Sequence, residues 1–186
     1  LCMIGTGYVG LVSGTCFADI GNQVICVDKD TNKINKLNLG KSPIYEPGLN
    51  ELIKKNYQAK RLIFTTDIEK AINQSDIIFI CVGTPSKKRS LKVDLSYVMG
   101  CVREILRYSK KRKIIITKST VPVGTGDIIQ NILKKKKKLF SVISNPEFLR
   151  EGEAIRDFVY PDRVVIGTND KKAGRILKNL YSPLIS

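Results

Sequence analysis

Leu1-Cys2-Met3-Ile4-Gly5-Thr6-Gly7-Tyr8-Val9-Gly10 is the stretch that decides the fold of this chain. The apolar start reads as a buried strand, and a helical pattern over residues 9–20 follows the glycines. In that setting each glycine has a purpose. Gly5 permits a tight turn, Gly7 lets a pyrophosphate approach the backbone, and Gly10 lets helix and strand pack closely. The helix start then offers unpaired N–H groups and a positive dipole end to phosphates. Asp28 closes the next apolar run, 24–27, where an acid accepts hydrogen bonds from an adenosine ribose. A carboxylate there also favours NAD over NADP, because it repels a 2′-phosphate. A glycine turn kept for packing alone would leave Asp28 without a role.

Outward from this unit, apolar runs at 62–64, 77–82, 114–116, 139–143 and 164–166 read as further strands. Helical patterns fall near 31–39, 48–57, 67–73, 94–109, 125–135 and 170–181. Strands alternating with helices imply a Rossmann-like, doubly wound α/β fold, with a mostly parallel sheet and helices on both faces. Residues 41–47 form the one long irregular connection, punctuated by Pro43 and Pro47. No linker or internal repeat divides the chain, so residues 1–186 are expected to form a single domain. The chain opens in mid-strand without an initiator Met, which leads to the expectation of further residues upstream.

The hydrophobic content is 42% across 186 residues, enough for one sizeable core. No apolar run approaches a membrane span, and no signal-peptide pattern opens the chain. The five cysteines are scattered without a C-x-x-C pair, and histidine is absent. That argues against a metal site and against a histidine base, and it fits a reducing cytoplasm. The net charge of +15 raises the prospect of a polyanion partner. Lysines are nevertheless spread over nearly every surface segment without interleaved aromatics, and the run 134–138 follows a helical pattern whose end suits cations. A solvated basic surface is the expectation, with no nucleic-acid partner.

Several motifs fall where a parallel sheet delivers its carboxyl-end loops, the edge at which open α/β sheets bind ligands. Val82-Gly83-Thr84-Pro85 follows the fourth strand, and Lys118-Ser119-Thr120-Val121-Pro122-Val123-Gly124-Thr125 follows the fifth. Asn145-Pro146-Glu147-Phe148-Leu149-Arg150-Glu151-Gly152 follows the sixth. If this last segment is helical, Glu147 and Glu151 share a face, which stability alone would not choose. A plain helix start capped by Asn145 is the competing reading. Glu147 to Glu151 are expected to line a crevice with Thr120, with Phe148 and Leu149 shaping its wall and Arg150 meeting a polar ligand.

Taken in order, these motifs, with Ile44-Tyr45-Glu46-Pro47-Gly48-Leu49 and Tyr160-Pro161-Asp162-Arg163-Val164-Val165-Ile166-Gly167, make the chain resemble the amino-terminal domain of the UDP-glucose/GDP-mannose dehydrogenase family. The resemblance implies NAD contacts from Gly5, Gly7, Tyr8, Val9, Gly10, Asp28, Lys33, Thr84, Thr120 and Glu151. It implies a nucleotide-sugar site along Glu147, Phe148, Leu149, Arg150 and Glu151. Catalytic roles fall on Thr120, holding a reaction-site water, on Glu147, the base in thioester hydrolysis, and on Glu151, which either takes part in the chemistry or positions NAD.

The activity so implied is NAD-dependent two-step oxidation of UDP-glucose to UDP-glucuronate through a cysteine-linked intermediate, by an enzyme expected to be a homo-oligomer. The motif 160–167 resembles the UDP-glucose group more closely than the GDP-mannose group. The family's nucleophilic cysteine lies in a glycine-rich motif not found here, so the expectation is a cofactor half with part of a sugar site, inactive alone. A non-enzymatic dinucleotide-binding module is the rival from another class.

Overall fold

The computed structural model describes residues 1–86, 93–134 and 140–185. Six parallel strands form one sheet in the order β3-β2-β1-β4-β5-β6. They are β1 (Cys2–Ile4), β2 (Val24–Val27), β3 (Leu62–Thr65), β4 (Ile77–Ile80), β5 (Lys113–Thr117) and β6 (Phe140–Ser144). The chain winds outward from β1 to β3, returns across the sheet, and winds outward again from β4 to β6. Strand order therefore reverses between β1 and β4, the switch point where such sheets bind dinucleotides.

The strands alternate their side chains strictly between two apolar layers. Met3, Cys26, Phe79, Ile114 and Ile116 enter one layer, with α1 (Tyr8–Asp19), α3 (Leu49–Gln58), α7 (Ala154–Val159) and α8 (Lys171–Tyr181). Cys2, Ile4, Val27, Ile78, Ile80 and Ile115 enter the other, with α4 (Ile68–Gln74), α5 (Ser96–Tyr108) and α6 (Thr125–Leu133). α2 (Thr31–Asn38) adds Ile34 and Leu37 to the first layer. α1 is buried from Gly10 to Ala18, and Phe17 packs its ring against Phe79, Phe158 and Tyr181. This helix is the keel of the cofactor side.

One expectation needs revision, and the competing helical reading of 145–152 is excluded. Residues 164–166 form no strand: past β6 only a single antiparallel bridge joins Ser144 to Gly167. The Asn145 side-chain amide donates to the Val165 carbonyl at 2.8 Å, in place of the ladder bond a strand would need. Asn145 is likewise no helix cap. The backbone from 145 to 150 is irregular, and the helix that follows, α7, begins only at Ala154. Glu147 and Glu151 thus never share a helical face. Residues 135–139, with most of the lysine run and the start expected for β6, lie outside the described residues.

Candidate functional site

The cofactor loop is built by close approach. Gly5 adopts φ +103°, and its amide donates to the Val27 carbonyl at 2.8 Å. A Cβ on Gly10 would stand 1.9 Å from the Gly5 carbonyl oxygen, so helix and turn touch backbone to backbone. Gly7 differs. A Cβ there would meet nothing within 4 Å, so no protein atom requires this glycine. It is the N-cap of α1, without a side-chain cap and without an acid in the first turn. Uncapped N–H groups facing open space are what a pyrophosphate requires. Tyr8 and Val9, half-buried, open the helix.

Asp28 turns toward this loop. Its Oδ2 accepts from the Thr6 amide and the Thr6 hydroxyl, both at 2.8 Å, and its Oδ1 accepts from the Asp30 amide at 3.1 Å. Burial works to raise the Asp28 pKa, but these hydrogen bonds and the Lys33 charge hold it below the usual carboxylate value. A carboxylate oxygen accepts about two hydrogen bonds. Oδ1 therefore retains acceptor capacity suited to a ribose hydroxyl. Asp30 caps α2 through the Asn32 and Lys33 amides, which seats Lys33 beside Asp28. The residues present fit an NAD.

Across the switch point, the Thr84 hydroxyl donates to the Thr120 carbonyl at 2.8 Å and ties the loops after β4 and β5 together. Thr120 is exposed and lines a cavity of about 660 Å³ that reaches Ser144 and Asp170. A second cavity, of about 770 Å³, is lined by Lys118, Asn145, Glu147, Leu149, Arg150 and Tyr181 among others. Pro146 borders both. Thr120 and Glu147 therefore stand at the same sheet edge but face adjoining cavities.

Within 145–152 the side chains divide their work. Half-buried Glu147 accepts from the Leu149 amide at 2.6 Å through Oε2. Exposed Arg150 pairs with Asp157 at 2.6 Å, so its charge is already engaged. Phe148 is 57% exposed beside the Arg163 guanidinium. Beneath them Asn145 is buried; its Oδ1 accepts from the Tyr181 hydroxyl at 2.8 Å and from the Lys118 ammonium at 3.4 Å. Burial lowers the Lys118 pKa, against the pull of Cys81 and Glu147. No sequence signal pairs Lys118 with Tyr181, since only the fold brings β5 and α8 together.

The segment ends against the cofactor loop. The Gly152 amide donates to the Tyr8 hydroxyl oxygen at 2.5 Å and to Glu46 Oε2 at 2.9 Å, while the Tyr8 hydroxyl itself donates to Glu46. Burial raises the Tyr8 pKa, as do the Glu46 hydrogen bond and the charges of Glu46 and Glu151, with the Gly152 amide opposing. Glu151 is exposed. Sequence reasoning assigned Glu46 no role, and its one local signal is an acid held between Tyr45 and Pro47. The five cysteines are free and buried. Burial pushes the thiols of Cys2, Cys16 and Cys81 up to about 12 and that of Cys101 up to about 11.

Comparison with known proteins bears on this geometry. The chain is 50% identical over 188 residues to a UDP-glucose 6-dehydrogenase of Rhizobium meliloti (strain 1021), covering 99% of this chain and 43% of that protein. A UDP-glucose dehydrogenase structure from Pyrobaculum islandicum superposes with TM-score 0.93 at 37% identity, over all of this chain and 44% of that one. A ternary complex of GDP-mannose dehydrogenase from Pseudomonas aeruginosa superposes with TM-score 0.93 at 42% identity, over 99% and 44%. The chain thus spans less than half the length of these relatives. Residues 1–185 match the UDP-glucose/GDP-mannose dehydrogenase family, NAD binding domain, and the chain belongs to that family.

Proposed function

We propose that this chain is the NAD-binding part, with a portion of the sugar site, of a UDP-glucose 6-dehydrogenase that makes UDP-glucuronate. The observation that carries this reading is the contact of Gly152 with Tyr8, by which the 145–152 segment closes on the dinucleotide loop at the switch point. The uncapped start of α1 would hold the pyrophosphate, with Gly5, Gly7, Tyr8, Val9 and Gly10 around it, and Asp28 and Lys33 the ribose. Thr84, Thr120 and Glu151 would meet the nicotinamide half, while Glu147, Phe148, Leu149, Arg150 and Glu151 lie along the sugar. NAD, when bound, takes up the electrons released as the sugar alcohol is oxidised. Thr120 would hold the water that hydrolyses the covalent intermediate, and Glu147 would receive its proton. That requires both side chains to reach one ligand across Pro146, where their cavities adjoin.

The covalent step needs a thiolate. The five cysteines are buried and their thiols are held protonated, so that step is assigned to sequence outside this chain, which should show no steady turnover alone. Five free cysteines suit a reducing cytoplasm, and among the described residues no helix is long and apolar enough to cross a membrane. Homo-oligomerisation of the complete enzyme is part of the same proposal.

Titration calorimetry with NAD and NADP tests the cofactor side. NAD should bind and NADP much more weakly, and Asp28→Ala should weaken NAD by about 1–3 kcal/mol as an acceptor enclosed by the bound ribose is lost. Equal affinities for the two cofactors would remove the role given to Asp28. The GDP-mannose reading draws support from the 42% identity to a GDP-mannose dehydrogenase. Turnover of the complete enzyme with each nucleotide sugar separates the two.

A further inference from the structure

Glu46 is 6% exposed, and among the described residues it enters no ion pair. A buried carboxylate without a cation is costly unless hydrogen bonds replace its water. Three donors do so, one from the start of α1 and two from around the start of α7. Oε2 accepts from the Tyr8 hydroxyl and from the Gly152 amide at 2.9 Å, and Oε1 accepts from the Ile155 amide at 3.2 Å. Pro47 and the left-handed Gly48 (φ +78°) follow Glu46, at the start of α3. At α7 the N-cap Glu153 makes no side-chain capping hydrogen bond, so an acid far back in the sequence serves the amides around its start. Capping alone would explain the two amides. It does not explain why the same oxygen takes the phenol of Tyr8, the first residue of α1 after the dinucleotide loop.

We propose that Glu46 is a positioning residue that couples the dinucleotide loop to the nucleotide-sugar segment, so that ordering Tyr8 over a bound cofactor sets the carboxyl end of 145–152. The inference rests on the function proposed above. Gly152 donates to both members of the Tyr8–Glu46 pair, so a shift of the phenol is felt at the amide adjoining Glu151. Linkage makes the coupling reciprocal: a nucleotide sugar resting on this segment tightens cofactor binding by the same factor.

The test is amide hydrogen exchange at Gly152 and Ile155, with and without NAD, alongside calorimetry, in the wild-type chain and in Tyr8→Phe, Glu46→Gln and Glu46→Asp. In the wild type NAD should slow exchange at both amides. In Tyr8→Phe the Ile155 amide keeps its acceptor, so its exchange without NAD should be unchanged. The further slowing on adding NAD should be lost, with NAD affinity down by roughly five-fold or more. Glu46→Gln should lose both effects, and Glu46→Asp should recover part of them. NAD-induced slowing that persists in full in Tyr8→Phe would show that Glu46 is only a cap and overturn the coupling. A wild-type chain that binds no NAD would overturn the function reading and the coupling together, whereas binding without slowing would overturn the coupling alone. Tyr8→Phe preserves the buried carboxylate and its amide partners, so the test survives if the Glu46 variants fail to fold.

Discussion

Glycines in one short motif do different kinds of work, and substitution separates them. Gly10→Ala drives a methyl group into the Gly5 carbonyl, a contact neither backbone can yield. The expected outcome is a loss of roughly 2–3 kcal/mol or more of stability in denaturant titration. Gly7→Ala meets no protein atom and sits at φ −72°, where alanine is unstrained. Its melting temperature should stay near wild type while NAD affinity falls, because the methyl group occupies the ligand's space. Unchanged NAD affinity in Gly7→Ala would place the pyrophosphate elsewhere. The spacing of these glycines was legible in the sequence, since the constraint is local. The Tyr8–Glu46–Gly152 cluster was not, because its members meet only when the sheet is assembled.

At the scale of elements, the helices and most strands were legible from their apolar patterns, and the structure adds how the helices start. α2, α4 and α8 each begin on an aspartate that accepts from the first amides, whereas α3 and α6 follow Gly48 and Gly124 in left-handed conformation. α7 escaped notice because six residues with only Ala154 and Phe158 buried carry too little periodicity. Residues 164–166 misled in the opposite sense: their β-branched side chains suit a strand, but the Val165 carbonyl is taken by Asn145.

Asp170 is the busiest of the capping acids. Its Oδ1 accepts from the Lys172 and Ala173 amides, and its Oδ2 from the Ser141 hydroxyl and the Arg112 guanidinium. Asp170→Ala should cost about 2 kcal/mol, since a cap and the tie of α8 to β6 are lost together. The Ser141 hydrogen bond, with the helix amides, holds the Asp170 pKa below its ordinary 3.8. Its contribution is therefore complete above that value and lost as pH falls through the lower folded value. Acid titration should find the Asp170→Ala penalty shrinking below about pH 4.

Over the whole molecule, groups whose ionisation burial delays shape the alkaline limb of stability: the thiols and, with them, the Tyr181 phenol. Cys2, Cys16 and Cys81 ionise near 12 when folded against 9.0 when exposed, so the unfolded chain releases protons first. Stability is then full below about pH 9 and falls by roughly 1.4 kcal/mol per pH unit for each such thiol. Several together consume the margin of an ordinary domain within about two pH units. Lys118 and Lys113, whose pKa values burial lowers, act the other way and offset part of this loss. Circular dichroism across pH 8–11 should show unfolding setting in toward pH 11, with the onset moved upward when Cys16 and Cys81 are replaced by alanine or serine in variants that still fold. An onset that stays in place in those variants would show that these thiols do not govern the alkaline limb.

The sheet order also governs how a ribosome can deliver this fold. β1 is the first strand of the chain yet lies at the centre of the sheet, with β2 on one side and β4 on the other. A nascent polypeptide that has emerged only through α4 can pair β1, β2 and β3, and it presents Cys2, Met3 and Ile4 as a bare apolar edge. Such an edge templates stray strand pairing. Emergence of Ile77–Ile80 seals it. A translational pause between α4 and β4 thus leaves the central strand of the sheet open on one side and exposes the growing chain to aggregation or chaperone capture.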